Sequence, residues 1–304
     1  MNSSEVQQRI LKHFDQLSNK QKQVARFIAD NEAFTAFAST DELGKAVGAD
    51  AATVVRLARS LGFTGYVDLQ KSIRNRLPTY LPFVERLEQH QSQPLDEQAL
   101  TVQTFSTDIE NLQQTMNQTA PEAVIAVSDA ILKADHVYVI GPGVSAGPAI
   151  FLEHGLSTLG FRVTVEIDVG TNLTTTLANL RASDLVIGIG VWRYFREIVT
   201  ALRYAADRNV PIVAFTDSNV SPLARIADAS LVAATRGAGY SLSPVGLISL
   251  INLVLAEIAA RDPEKTMRSI REVDRLYRQR GLIEDPDDQR PGEGDGAPPE
   301  RSSR

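Results

Sequence analysis

The chain has 304 residues, 43% of them hydrophobic and 22% charged, with a formal net charge of −6. This is ordinary globular composition with ample apolar material for a core, and the length favours two domains or one large one. The absence of cysteine excludes disulfides, thiolate nucleophiles and thiolate metal sites, and it fits the expected cytoplasmic location.

The N-terminus, M-N-S-S-E-V-Q-Q-R-I, has no positively charged segment followed by an apolar run, so no signal peptide is expected. Residues 1–77 carry 11 Lys/Arg against 8 Asp/Glu, a local charge of +3, which leaves −9 for the rest. Such asymmetry points to a basic N-terminal unit with its own kind of partner. Within it, residues 17–30 predict an amphipathic helix capped by Ser18 or Asn19. Ser39-Thr40-Asp41-Glu42 fits a capping box that starts a short helix ended by Gly48. Asp50 caps the next helix, Ala51 to Leu61. Two short helices joined by a glycine-bearing turn predict a helix-turn-helix.

The second of these helices divides by face. Val54, Leu57, Ala58 and Leu61 share one side; Ala52, Arg56 and Arg59 share the other. Small residues plus arginines suit the major groove of duplex DNA. Thr53 and Ser60 are expected on the flank facing phosphates, with Lys71, Arg74 and Arg76 adding sequence-independent attraction. Ser39 and Thr40, at the start of the preceding helix, complete the candidate DNA contacts. An acidic Asp50 beside DNA is repelled unless it is occupied as a cap. Arginines on the solvated face of any small helical unit are the plainer explanation of the same pattern.

Pro78, Pro82 and Pro94 break helical patterning across 78–97, the expected linker. Residues 98–120 predict a helix, with Leu100, Phe105, Ile109 and Leu112 recurring at near-helical spacing. From 121 to 261 short β-rich runs at 137–141, 162–166, 185–189, 211–216 and 229–233 alternate with helical segments at 145–159, 171–181 and 195–208. This predicts βαβ units and a doubly wound, mostly parallel sheet covered on both faces. The apolar segment 244–260 is short for a membrane span and contains Asn252 and Glu257, so a core helix is expected and no membrane partner. A charged helix is predicted over 263–280. The domain covering 98–281 is then followed by a tail, 282–304, without apolar content to bury and expected to be disordered.

The stretch from Ser39 to Leu69, with Ala52-Thr53-Val54, Arg56, Leu61-Gly62-Phe63, Gly65-Tyr66 and Leu69 in place, resembles the N-terminal domain of RpiR-type bacterial transcriptional regulators. Asp50, where that family usually has Ser, and Leu57, where it usually has Phe, depart from the pattern. The resemblance covers about residues 5–260 and implies a second, sugar-isomerase-like (SIS) domain of doubly wound α/β fold. It also implies operator binding as a homodimer or homotetramer and a small anionic effector, a phosphosugar or sugar acid.

Ligands of open α/β sheets sit at the carboxyl ends of the strands, and three loops qualify. In G-P-G-V-S-A-G, 141–147, Gly141 and Gly143 permit close backbone approach and Ser145 offers a hydroxyl. Gly141, Gly143 and Ala146 also pass for a partial dinucleotide fingerprint with Glu166 as its acid; without other dehydrogenase signatures no cofactor is expected. In V-I-G-I-G-V-W-R-Y, 186–194, the Ser-x-Ser-Gly cradle usual in sugar-phosphate-binding SIS domains is replaced by Gly190, Trp192, Arg193 and Tyr194. Arg193 can hold a carboxylate or phosphate, while Trp192 and Tyr194 stack on a ligand or pack. In T-D-S-N-V-S-P-L-A, 216–224, Thr216, Asp217 and Ser221 gather polar groups, and Ser243 before Pro244 joins them. The plainer role of Ser221-Pro222 is to start a helix.

The resemblance implies that a sugar-phosphate isomerase on this fold would use a Glu/His pair as acid–base groups. Of four histidines (His13, His90, His136, His154), only His154 adjoins a glutamate, Glu153, and neighbours on a helix point about 100° apart. No metal-ligand spacing is present. The expected function is therefore a ligand-responsive regulator, not a catalyst. The alternatives are a sugar-phosphate isomerase, or a DNA-binding protein whose SIS domain only oligomerises.

Overall fold

The computed structural model describes residues 5–74, 97–239 and 241–283. The expected linker up to Glu97, Arg76 and the expected tail from 284 onward lie outside the described residues.

The N-terminal region is all helical: α1 (Glu5–His13), α2 (Asn19–Asp30), α3 (Glu32–Thr35), α4 (Thr40–Val47), α5 (Ala51–Ser60) and α6 (Tyr66–Arg74). Its boundaries follow local chemistry. Ser18 and Gln21 form a capping box at α2, and Ser39 and Glu42 form one at α4, where Ser39 N donates to Glu42 at 2.7 Å. Gly48 ends α4 in the left-handed region at φ 64°, which a Cβ would disfavour. Asp50 accepts the Thr53 N–H at 2.5 Å and starts α5. Val24, Ile28, Leu43, Val54, Leu57 and Leu69 close one core beneath these helices.

The second region carries a five-stranded, all-parallel sheet in the order β2-β1-β3-β4-β5. The strands are β1 (Val137–Ile140), β2 (Val163–Glu166), β3 (Leu185–Gly190), β4 (Ile212–Thr216) and β5 (Ala229–Val232). Each lies within a residue of its expected position. The remaining helices are α7 (Glu97–Gln118), α8 (Pro121–Lys133), α9 (Ala146–Thr158), α10 (Thr171–Ala178), α11 (Arg196–Ala206), α12 (Val245–Arg261) and α13 (Pro263–Gln279). α8 has no counterpart among the expected elements.

Alternation along the strands feeds two cores. Leu185, Ile187 and Ile189 face α8, α9 and α12; Val186, Ile212 and Ala214 face α10 and α11. Strands β3 and β4 are buried throughout, which is why they read as continuous apolar runs. The order reverses between β1 and β3, and this switch point opens a crevice at their carboxyl ends. α12 packs into the core as expected, and no helix among the described residues is long and apolar enough to cross a membrane.

Helix α7 turns its polar side inward. Thr107, Asn111 and Thr115 are buried, while Val102, Phe105, Ile109 and Met116 are more than half exposed. The reason lies in the irregular segment after β5. The Asn111 carboxamide donates to Arg236 O at 2.7 Å and accepts from Arg236 N at 3.1 Å, and Thr115 accepts from Ala234 N at 2.9 Å. Side chains of α7 thus satisfy backbone groups that no further strand reaches. Replacing Asn111 by Leu should cost about 2 kcal/mol or more in denaturant unfolding, because two backbone groups lose their partners. A cost under about 0.5 kcal/mol would mean that water replaces the carboxamide.

Candidate functional site

On α5 the two faces separate as the sequence requires. Val54, Leu57, Ala58 and Leu61 are buried at 1% exposure or less, while Ala52, Arg56, Arg59 and Ser60 are exposed. Thr53 needs correcting: it is 7% exposed, and its hydroxyl accepts from Arg56 Nη2 at 2.9 Å, so it faces the protein and not a phosphate. Arg56 also lies 3.6 Å from Asp50. Hydrogen bonds from Thr53 hold the Asp50 carboxyl below its ordinary range, and the nearby Arg56 adds to this. Asp50 is therefore engaged as a cap and is flanked by an arginine. Ser60 accepts from Gln21 Nε2 at 3.1 Å; Lys71 is exposed and Thr40 half-buried. Ser39 and Arg74 are not with the α5 face. They line a cleft between the helical and α/β regions, where Ser39 donates to Glu42 at 2.8 Å.

At the switch point lies a cavity of about 200 Å³. Gly143, Ser145, Gly190, Trp192 and Arg193 contribute to its lining, but so do Val144, Ile189, Val191, Phe195 and Ile198, and it is largely apolar. Gly143 adopts φ 62°, and a Cβ there would stand 3.0 Å from the Phe195 ring. A Cβ on Gly190 would meet Leu223 at 2.6 Å, so this glycine serves packing beneath the loop as much as ligand approach. Gly141 is likewise tight against α9, 2.7 Å from Ala149 Cβ.

The loop after β3 is held from below. Trp192 sits at φ 65°, a left-handed conformation costing a non-glycine residue about 1–2 kcal/mol, and its side chain is 2% exposed. Two bonds to one carboxylate offset that cost: Trp192 N donates to Asp217 at 2.7 Å, and the Tyr194 hydroxyl donates to the other Asp217 oxygen. Burial pushes the Asp217 carboxyl up, opposed by the bonds from Tyr194 and Trp192. The Arg193 guanidinium lies 4.7 Å from the Trp192 ring centroid. Trp192 is accordingly a packing anchor with a cation on it, not an open stacking platform.

Other expected ligand residues are engaged in structure. Thr216 and Ser221 are fully buried; Thr216 donates to Ser221 at 2.9 Å, and Ser221 accepts the Ala224 N–H at 3.0 Å. Ser243 donates to Asp108 of α7 at 2.5 Å. These three hydroxyls hold loops and helix ends, and none of them lines the strand-end cavity. Glu166 accepts from Thr176 at 2.5 Å, which occupies the one acid a dinucleotide ribose would need. Glu153 accepts from Ser157 on α9, and neither it nor His154 lines the cavity. Among the described residues no group of three or more His, Cys, Asp or Glu could hold a metal ion.

Sequence patterning missed the second face of the loop. Tyr194 packs edge-to-face on Phe37 with centroids 5.5 Å apart, and Arg225 pairs with Glu42 and donates to Phe37 O at 3.4 Å. Phe37 just before the α4 cap, and Arg225 just after S-P-L-A, were the available signals. The hydrogen bond from Arg225 is the main cause that brings the Glu42 carboxyl down to about 2.

A helix-turn-helix with an exposed arginine face, joined to a doubly wound α/β domain, is the architecture of a two-domain transcriptional regulator. The comparisons agree. The model of the helix-turn-helix domain of the rpiR family matches residues 4–79, and that of the SIS domain matches 130–249. The sugar isomerase domain of the RpiR transcription factor from Sphaerobacter thermophilus is 62% identical, covering 59% of this chain and 99% of that one, with a TM-score of 0.58. An uncharacterised HTH-type transcriptional regulator of Haemophilus influenzae is 25% identical over 89% of this chain and 98% of its own length. The HTH-type transcriptional regulator HexR of Pseudomonas aeruginosa is 25% identical over 72% and 75%. The NanR protein of Vibrio vulnificus, complexed with ManNAc-6P, shares the fold at 22% identity, 93% and 100% coverage and a TM-score of 0.66. The chain belongs to the RpiR family: it is a transcriptional regulator with a helix-turn-helix and an SIS domain, and these relatives are named as regulators.

Glu42 makes the contact between the two domains pH-dependent. Its folded value, about 2, is below the ordinary 4.5. The stability it contributes is therefore complete above about pH 5 and is lost as pH falls toward 2. With the Glu42 side chain 42% exposed, screening leaves about 1 kcal/mol. Between pH 6 and pH 2.5 the wild type should lose about 1 kcal/mol more than Glu42→Gln in denaturant unfolding. Equal losses would show that the pair contributes nothing.

Proposed function

We propose that this regulator reads operator DNA with the exposed face of α5 and that a small anionic metabolite modulates that binding through the SIS domain. The observation that carries the first half is the separation of faces on α5: its apolar stripe is wholly buried while Ala52, Arg56, Arg59 and Ser60 stand in solvent. Arg59 has no ion pair among the described residues, so its fork is available for a guanine edge or a phosphate. Lys71 and Thr40 add contacts at the margin. The second half rests on Arg193, the cation of the strand-end loop, and is supported by the phosphosugar bound to the V. vulnificus neighbour. Since the serines of a phosphosugar cradle are absent, a sugar acid fits as well. The regulator acts in the cytoplasm, where its DNA is.

Self-association belongs to the same proposal. The outward apolar stripe of α7 continues into a groove with Ile125 of α8 and Leu253 of α12. A second copy of the chain would cover it, and paired helix-turn-helix units would then bind two half-sites.

Arg59→Ala should weaken operator binding about 10- to 100-fold in fluorescence anisotropy and flatten its salt dependence. Unchanged affinity would remove α5 as the reading helix. In a thermal-shift screen of phosphosugars and sugar acids, at least one compound should raise the wild-type midpoint, and Arg193→Ala should abolish that rise, while loss of its contact with the Trp192 ring lowers the unliganded midpoint only slightly. If no anion stabilises the wild type, the SIS domain serves oligomerisation alone.

A further inference from the structure

We propose that the cleft between the helical and SIS domains is a binding site for a compact polyanion with a phosphate or two carboxylates, separate from the strand-end cavity. The inference rests on the reading of an anionic effector and gives that effector a different seat.

The cleft has a volume of about 610 Å³, within the range of small-molecule sites, against about 200 Å³ for the cavity at the strand ends. Its walls are cationic. Arg74 comes from α6, Arg193 from the loop after β3, Arg196 and Arg203 from α11, and Arg225 from the loop after β4. The one carboxylate in the lining, Glu42, is already paired with Arg225. Among the described residues no carboxylate lies within ion-pair distance of Arg74, Arg196 or Arg203.

The arrangement on α11 is regular. Arg196, Val199, Thr200 and Arg203 all line the cleft, spaced i, i+3, i+4 and i+7, so they form one stripe. The opposite stripe, Ile198, Ala201, Leu202 and Ala205, is buried on the sheet. The helix therefore fixes two guanidinium groups on the same wall, with the Thr200 hydroxyl between them. Like charges converging in a concave site repel one another and focus positive potential, and an anion relieves both effects. Guanidinium forks favour phosphate or carboxylate oxygens in pairs. On the helical side of the cleft Ser39 is held by Glu42, and Gln70 Nε2 donates to Thr35 O and Ala38 O, so the arginines carry the recognition.

The cleft does not include the exposed residues of α5, which separates it from the face proposed to read DNA. An anion that bridges Arg74 on one domain to Arg196 and Arg203 on the other would hold the helix-turn-helix at a fixed angle to the sheet. Binding there is linked to operator affinity, because only one orientation is favoured.

Isothermal titration of the full chain with inorganic pyrophosphate, in magnesium-free buffer, tests the site. Two variants divide the possibilities: Arg196→Gln with Arg203→Gln, both exposed and outside either core, and Val144→Trp, which fills the strand-end cavity. The expected result is wild-type binding that weakens at least tenfold in the double variant and stays within twofold in Val144→Trp. If Val144→Trp abolishes binding and the double variant keeps it, the anion sits at the strand ends; the inference falls and the anionic effector survives. If the double variant binds pyrophosphate normally but loses operator affinity at all salt concentrations, the arginines serve a DNA backbone and the inference falls. Absence of wild-type binding at millimolar pyrophosphate also overturns it; because Arg193 lines both hollows, the strand-end reading is then tested by whether Val144→Trp abolishes the thermal shift given by a phosphosugar or sugar acid.

Discussion

Asp217 is the constraint on which the interdomain side of this molecule depends. Its carboxylate is brought to the end of β4 and half-buried beneath the neighbouring loop. There it accepts from the Trp192 backbone and the Tyr194 hydroxyl. A half-buried acid is costly to leave without donors, and the loop supplies two. Supplying them puts Trp192 in the left-handed region with its ring inward. The chain then emerges with Tyr194 against Phe37 and Arg193 shared between two hollows.

That geometry gives one loop two faces. Toward the sheet it closes a small, mainly apolar cavity at the switch point. Toward the helical domain it joins Arg225 and the α11 arginines around a larger, cationic cleft. The loop after β3, which closes the crevice, and the loop after β4 both touch the helix-turn-helix region, through Tyr194–Phe37 and Arg225–Glu42. Glu42 is at once the capping acid of α4 and the partner of Arg225. A change at the strand ends thus has a short physical route to the start of a helix-turn-helix helix.

Much of this was legible in the chain. The five strands announce themselves as short apolar runs between helical segments, and the caps at Ser39, Gly48 and Asp50 fix the helix-turn-helix. Strand order was not legible, because it depends on crossover choices that no local pattern encodes. Helix α8 is marked in the sequence only by Pro121 at its first position. Thr53 was placed outward because helical periodicity assigns stripes by angle, and a hydroxyl tolerates either side. Thr216, Ser221 and Ser243 looked like ligand groups because a capping hydroxyl and a binding hydroxyl are the same residue in sequence. The α7 stripe was visible, but not that it faces away from its own domain; this follows from Asn111 and Thr115 meeting backbone groups more than a hundred residues away. The arginines of the cleft are scattered from 74 to 225, and only the fold gathers them.

The account stands or falls on whether Asp217 orders both sides of the loop. Hydrogen–deuterium exchange on the full chain, comparing wild type with Asp217→Ala, measures this directly. Exchange should rise in residues 191–196 and also in 34–38, which are distant in sequence and joined to the loop through Tyr194 and Phe37. A rise confined to 191–196, with 34–38 unchanged, would contradict the coupling of the strand-end loop to the DNA-binding domain.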